Sequence, residues 1–326
     1  MIMKAYIYNK VSAMAKGLLP FCLLAAIPML DSCKSGDQEF PDYDYQTCYF
    51  SKQYPVRTVE IGNDNYVNLT LDNQHKIQIQ AAMGGAYNNP RDINIDIAVD
   101  GSLCTGKTFK RVDVVSGETE TGIVLTEMPS SYYTMASSNI TIPSGEVTGG
   151  VEVQLEDAFF NDPLSTTLHY AIPVKMTKAT GVDHILEGKD FVLYAVRYVN
   201  RYHGKYVRNE DLLDQVLVTT KNLNTALYSY EVKDGAGTKH VCELELNFAA
   251  DGTCTITPSA ASVAAGFAVT GTGRFAEAAE QLGARMADTM YLNFRITNTT
   301  LGINYTGDEK LRLETRNVIT EYLSVQ

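Results

Sequence analysis

Short runs in which apolar and polar residues alternate recur along most of the chain. In residues 76–80, Ile77 and Ile79 fall on one face, with Lys76, Gln78 and Gln80 on the other. In residues 93–99, Ile93, Ile95, Ile97 and Val99 share a face while Asn94 and Asp96 point away, and Asp100-Gly101 supplies the turn. The pattern returns at 47–50, 139–143, 151–155, 170–176 and 191–199, and no segment here sustains a helical period. Many short one-sided strands separated by turn residues predict an antiparallel β-sandwich, placed at residues 41–201.

The second half, 202–326, opens at His203-Gly-Lys-Tyr-Val207. Strand patterns follow at 215–220, 226–232, 241–248, 253–257, 266–272, 290–296 and 311–315. Ala276-Glu-Ala-Ala-Glu-Gln-Leu282 reads as part of a short helix over 276–286. Roughly eight strands in about 120 residues suit either a second sandwich or a small lipocalin-like barrel. The fold class is therefore all-β, in two domains. Tyr228 and Tyr230 share a strand face with Ala226 and Val232, which places their rings in the core and their hydroxyls at its edge.

One stretch breaks the alternation. Residues 17–30 are 14 apolar or small residues without a charge, preceded by Lys4, Lys10 and Lys16 and followed by Asp31-Ser32-Cys33. The run is shorter than the ~20 residues that cross a bilayer as a helix. A cationic start, a short apolar core and a small residue before a cysteine predict a bacterial lipoprotein export signal over 1–32, with lipid attached at Cys33. Asp31 departs from the small or apolar residue usual at that place, and Pro20-Phe21 makes Cys22 a poorer match. Acyl chains on Cys33 would hold the protein on a membrane. Residues 33–40 form a polar tether.

Charge narrows the partners. The chain holds 27 Lys and Arg against 38 Asp and Glu, a net −11, and about −13 without residues 1–32. No basic run offsets this, so nucleic acid is not expected as a partner, and neutral or basic polymers fit better than sulfated ones. Beyond Cys22 and Cys33, four cysteines remain: Cys48, Cys104, Cys242 and Cys254. Placing a hairpin turn at Asp251-Gly252 sets Cys254 opposite Ala249 and Cys242 on the other face, which forbids a bridge between the two. Four free, buried thiols are expected, and without a CxxC spacing no zinc site.

A search for chemistry finds little. The chain contains no GxSxG or HExxH motif, and Gly271-Thr-Gly273 reads as a bulge or turn. His75, His169, His184, His203 and His240 never pair closely in sequence. Asp42/Asp44 and Glu243/Glu245 read as tether and solvated strand face. Asp92-Asn94-Asp96 lacks the glycine of a calcium loop. No catalytic residue, metal or cofactor is expected, and the chain is read as a non-enzyme. Sugar surfaces usually present an aromatic face, and Trp is absent while Tyr numbers 20 and Phe 11. Tyr132 and Tyr133, after Pro129-Ser-Ser131, are the candidate exposed platform.

These pieces together resemble the modular surface lipoproteins of Bacteroidetes polysaccharide-utilisation systems. The likeness rests on the Cys33 anchor, Cys48-Tyr-Phe-Ser51, and Ile140-Thr-Ile-Pro-Ser-Gly-Glu146 leading into 151–155. Tyr170-Ala-Ile-Pro-Val174 and His203-Gly-Lys-Tyr206 add to it. The tail 34–40 is similar to those that send such lipoproteins to the outer face of the outer membrane. The resemblance implies an immunoglobulin-like first domain and a β-rich second domain, both of unknown function. It also implies a non-catalytic role in capturing a neutral polysaccharide or oligosaccharide beside an outer-membrane importer. A structural or adhesive subunit with a protein partner is the alternative, and an unrecognised glycoside hydrolase the third. Asp288-Thr289-Met290 matches the short acceptor pattern for O-glycosylation in these bacteria.

Overall fold

The alternating segments form strands. A computed structural model describes residues 45–64, 66–85 and 89–326. Cys33, the export signal, the tether and residues 41–44, with Asp42 and Asp44, lie outside the described residues.

The first domain begins with β1 (Thr47–Tyr49), β2 (Val56–Glu60), helix α1 (Thr70–Asn73), β3 (Lys76–Gly84) and β4 (Ile93–Val99). It continues through β5 (Phe109–Asp113), β6 (Thr119–Ile123), β7 (Thr126–Glu127), β8 (Tyr133–Met135) and β9 (Asn139–Ile142). Then come β10 (Thr148–Leu155), helix α2 (Asp157–Asn161), β11 (Tyr170–Thr180), β12 (His184–Ile185) and β13 (Phe191–Val199). One sheet runs β12-β1-β3-β10-β8; the other runs β2-β13-β11-β4-β9, with β7 beside β11. Ile77, Ile79, Ile93, Ile95, Val153 and Ile172 meet between the sheets and are essentially buried. The sandwich is antiparallel through most of its pairs, as expected, while β1–β12, β7–β11 and β2–β13 pair in parallel.

Tyr170 to Val174 are all buried, although strands with one wet face alternate. The cause is a third layer. Ala171, Leu193 and Ala195 on the outer face of β11 and β13 pack against Phe109, Ile123 and Leu323. These last three come from a small sheet ordered β22-β5-β6, in which β22 (Glu321–Val325) is the end of the chain. After completing the second domain the chain returns to the first, where Leu323 sits opposite Arg111 and Tyr322 opposite Val112. A boundary at 201/202 puts those last residues in the second domain; their pairing places them in the first.

The second domain is a closed eight-stranded barrel, which decides between the two expected architectures. Its strands are β14 (Gly204–Arg208), β15 (Gln215–Asn222), β16 (Thr225–Lys233), β17 (Lys239–Phe248), β18 (Thr253–Pro258), β19 (Ala268–Leu282), β20 (Arg285–Asn298) and β21 (Ile303–Thr315). Each pairs antiparallel with the next, and β21 closes on β14. Side chains fill an eight-stranded interior. Here these include Tyr206, Tyr228, Leu244, Leu246, Met290, Leu292 and Phe294. Gly271-Thr-Gly273 is neither bulge nor turn but regular β19: a Cβ at Gly271 would lie 2.6 Å from the Cβ of Phe294. The Tyr228 hydroxyl reaches Glu309, not an edge, donating to its Oε2 at 2.8 Å inside the barrel.

The helix expected over 276–286 is absent. Those residues belong to the β19–β20 hairpin, and the short helix of this domain is α3 (Ala260–Ala264). Helix propensity in an Ala- and Glu-rich run is a weak prior, and barrel closure overrides it. Cys48, Cys104, Cys242 and Cys254 are free and buried. Cys254 pairs with Phe248 instead of Ala249, so Cys242 and Cys254 face the same interior. Six residues along β17, roughly 20 Å, separate Cys242 from the Phe248 position.

Candidate functional site

A pocket of about 270 Å³ lies where the two domains meet. Its first wall is the loop between β2 and α1. Asn73 braces the start of that loop: Gly62 N–H donates to Asn73 Oδ1 at 2.9 Å, and Asn73 Nδ2 donates to Gly62 O at 2.7 Å. Gly62 adopts φ +115°, and a Cβ there would lie 2.7 Å from Arg201 Cβ, so only glycine fits this close approach. Asp64 Oδ1 then accepts from the amides of Tyr66 (2.6 Å) and Val67 (2.9 Å). This local turn sets Tyr66 on the rim, 83 % exposed, with the Arg285 guanidinium 5.8 Å from its ring centre.

The opposite wall comes from the barrel. The pairing of β19 with β20 slips between Ala276 and Glu280, and Ala278 adopts φ +43°. Asp288 Oδ1 accepts the Ala278 amide at 2.8 Å and so holds the bulge. Bulges re-aim side chains, and this one carries Glu277 towards the first domain. There Glu277 pairs with Arg201 and accepts from Asn63 Nδ2 at 3.3 Å. Arg285 donates to the carbonyls of Leu313 (3.2 Å) and Glu314. Glu314 Oε1 accepts from Gln215 Nε2 at 3.1 Å.

The floor is Arg316, 3 % exposed. Its Nη2 donates to Ile61 O (3.0 Å) and Asn200 O (2.6 Å), and its Nη1 to Arg201 O (2.8 Å). Burial lowers its pKa from the usual guanidinium value. Beside it, burial and the charges of Arg316 and Arg197 push the His203 imidazole down to about 4, so it is neutral at physiological pH. Tyr202 completes the junction by stacking on Phe248, ring centres 3.8 Å apart. The segment joining the domains is thus packed into both.

The pocket offers four carboxylates (Asp64, Glu277, Asp288 and Glu314), two guanidiniums and one exposed aromatic ring. A few convergent polar groups around a concave surface are the usual form of a small-ligand site. Among the described residues, no group of three or more His, Cys, Asp or Glu is placed to hold a metal ion.

Tyr132 and Tyr133 lie elsewhere and form no exposed platform. Both are half-buried against the sandwich core. The Tyr132 ring stands edge-on to Tyr170 at 5.6 Å, and its hydroxyl donates to Asp162 Oδ2 at 2.9 Å. The stretch after Pro129 is a short 3-10 turn docked on the core, not a projecting loop. Thr289 of the acceptor tripeptide is fully buried, its hydroxyl donating to Ala287 O at 3.1 Å, which leaves no room for a glycan there in the folded chain. Asn94 and Asp96 lie on the wet face of β4 and bond across to β9, Asp96 Oδ1 accepting from Asn139 Nδ2 at 3.1 Å. Tyr66, missed in the sequence, follows Asn63-Asp64, and an Asx turn before an aromatic residue is the local signal that would have found it.

Each of the two β-domains matches a known family model. A family model described as an N-terminal domain matches residues 43–183, and the domain of unknown function DUF5627 matches residues 179–317. The second match stops just short of β22. A solved Bacteroides ovatus protein of unknown function is 35 % identical, with TM-score 0.76, over 87 % of this chain and 99 % of its own. The chain belongs to one family with that protein. A Bacteroides ovatus multidomain protein including DUF1735 is 14 % identical with TM-score 0.43, over 86 % of this chain and 94 % of its own. A candidate carbohydrate-binding protein from Bacteroides ovatus is 10 % identical with TM-score 0.29, over 86 % and 80 %. Likeness as low as these last two carries no argument. No curated protein matches the chain.

Proposed function

We propose that the chain is a lipid-anchored protein of the bacterial outer surface that binds a neutral or basic glycan without cleaving it, beside an outer-membrane importer. The observation that carries this reading is Tyr66: an exposed ring held by an Asx turn at the rim of a pocket lined with hydrogen-bonding groups. A ring face takes the apolar face of a pyranose, while carboxylates and guanidiniums take its hydroxyls. At about 270 Å³ the pocket is slightly smaller than the usual ligand site, so it suits one end or one short stretch of a polymer. Four carboxylates against two guanidiniums disfavour acidic sugars.

Absence of cleavage is supported by the state of those carboxylates. Each already accepts a hydrogen bond from the protein: Asp64 from Tyr66, Glu277 from Asn63, Asp288 from Ala278 and Glu314 from Gln215. Glycoside hydrolysis needs one carboxyl free to give a proton and another free to attack or activate water. The test is affinity electrophoresis of residues 34–326 in starch, xylan and fungal mannan, with product analysis. Retardation without shortening of the polymer supports the reading, and shortening overturns it. Anchoring is tested by labelling cells with a radioactive fatty acid, which the parent should take up and Cys33→Ala should not.

A second reading, a structural subunit with a protein partner, is favoured by Leu212 and Leu213 in the β14–β15 loop, 61 % and 93 % exposed. Silence across the polysaccharide panel would favour it.

A further inference from the structure

A second depression, of about 330 Å³, lies along the same stretches of chain as the first. Tyr66 and Arg316 line the junction pocket, while Val67 and Val318 line this one.

Three side chains there have the character of a ligand site. Tyr322 projects from the wet face of β22, 47 % exposed, between the buried Glu321 and Leu323. Lys52 is exposed and makes no ion pair with any described residue. Glu60 is only 8 % exposed, its carboxylate accepts no hydrogen bond from any described residue, and burial pushes its pKa up. A mostly buried residue whose carboxylate has no protein donor is open to one from a ligand, and this one lines the depression.

We propose that this depression is a second glycan subsite, so that the protein grips one oligosaccharide chain at two places, Tyr66 and Tyr322. A sugar hydroxyl donates to Glu60, a ring or exocyclic oxygen accepts from Lys52, and the pyranose face lies on Tyr322. The ligand is then a chain of several sugars and not a monosaccharide. A smaller depression of about 140 Å³ shares Lys52 and Pro55 with this one and continues the path to Tyr194. The inference rests on the glycan-binding reading above and fixes the length of what is bound.

The test is calorimetric titration of residues 34–326 with starch, xylan and mannan oligosaccharides, graded from disaccharide upward. Affinity should rise with chain length. Tyr322→Ala should weaken the longer oligosaccharides about tenfold, the scale of losing an aromatic anchor, and leave the disaccharide unchanged. Tyr66→Ala should weaken both. Lys52→Ala, at an exposed position, should repeat the Tyr322→Ala pattern if that variant misfolds. Length-independent affinity, unchanged by either substitution but lost in Tyr66→Ala, overturns the second subsite and leaves the first intact. Binding by none of the three series overturns both.

Discussion

Arg316 donates from Nη2 to the carbonyl oxygen of Asn200 at 2.6 Å, tying the end of β21 to the segment that joins the two domains. Asn200 is itself fully buried and spends its side chain on the barrel, Nδ2 donating to Asn222 O (2.7 Å) and Thr225 O (3.0 Å). The first domain, the joining segment and the barrel therefore share one polar hub. Replacing Arg316 by Ala leaves the carbonyls of Ile61, Asn200 and Arg201 without this donor. The expected cost is about 3 kcal/mol, with one cooperative unfolding transition splitting into two in a denaturant titration.

The returning strand should matter to the first domain and not to the barrel. Glu321, its side chain 1 % exposed, bridges Arg111 and Arg197, with Arg197 Nη2 at 2.6 Å. Glu321→Ala leaves Arg197 without a carboxylate partner and Arg111 with Glu120 alone, and should cost about 3 kcal/mol. Hydrogen exchange should show protection lost in β5 and β13 and kept in β16 and β17.

Acid should weaken the junction through His203. Its folded pKa of about 4 lies below the free imidazole value of 6.5. Between those two values the unfolded chain takes up a proton that the folded chain refuses, so stability falls as pH drops from about 6.5 to about 4 and is flat below. The loss is on the order of 3 kcal/mol. Glu60 and Glu309, raised by burial, act in the opposite direction, so the comparison is between the parent and His203→Gln. Thermal melts of the variant across this range should lack the His203 slope.

Ala278→Gly should stabilise the chain slightly. An alanine at φ +43° costs about 1–2 kcal/mol, and glycine gives back about 0.4–1 kcal/mol through its freer unfolded state. A net gain of at most about 1.6 kcal/mol, read as a small rise in Tm, is expected.

Much of the fold could be read from residue alternation. Ile77/Ile79 and Ile93/Ile95/Ile97 face the core as their spacing predicts, and burial of the four thiols follows from the same logic. The 276–286 segment misled because Ala and Glu favour helix locally, whereas its pairing partners at 285–289 and beyond fix it as strand. Glu321-Tyr-Leu-Ser-Val325 alternates as a strand should, but nothing local says that its partner is β5, some two hundred residues earlier. The junction pocket was illegible for the same reason. Its walls come from residues 63–66, 277–278, 285–288 and 313–316, four segments that only the closed barrel and the returning chain bring together. Tyr132 and Tyr133 stood out because a proline and two serines precede them, a signal that marks a turn but not its exposure. Cutting the chain at 201 to assay each half would also remove β22 from the first domain, so binding is best measured on the two domains together.

The measurement that tests glycan capture most directly is affinity electrophoresis of residues 34–326 and of Tyr66→Ala, side by side in starch, xylan and mannan gels. The parent should be slowed by at least one polymer that it leaves intact, and Tyr66→Ala should run as in a gel without polysaccharide. Equal retardation of both proteins would place binding outside the junction pocket, and free migration of the parent in all three gels would contradict glycan capture.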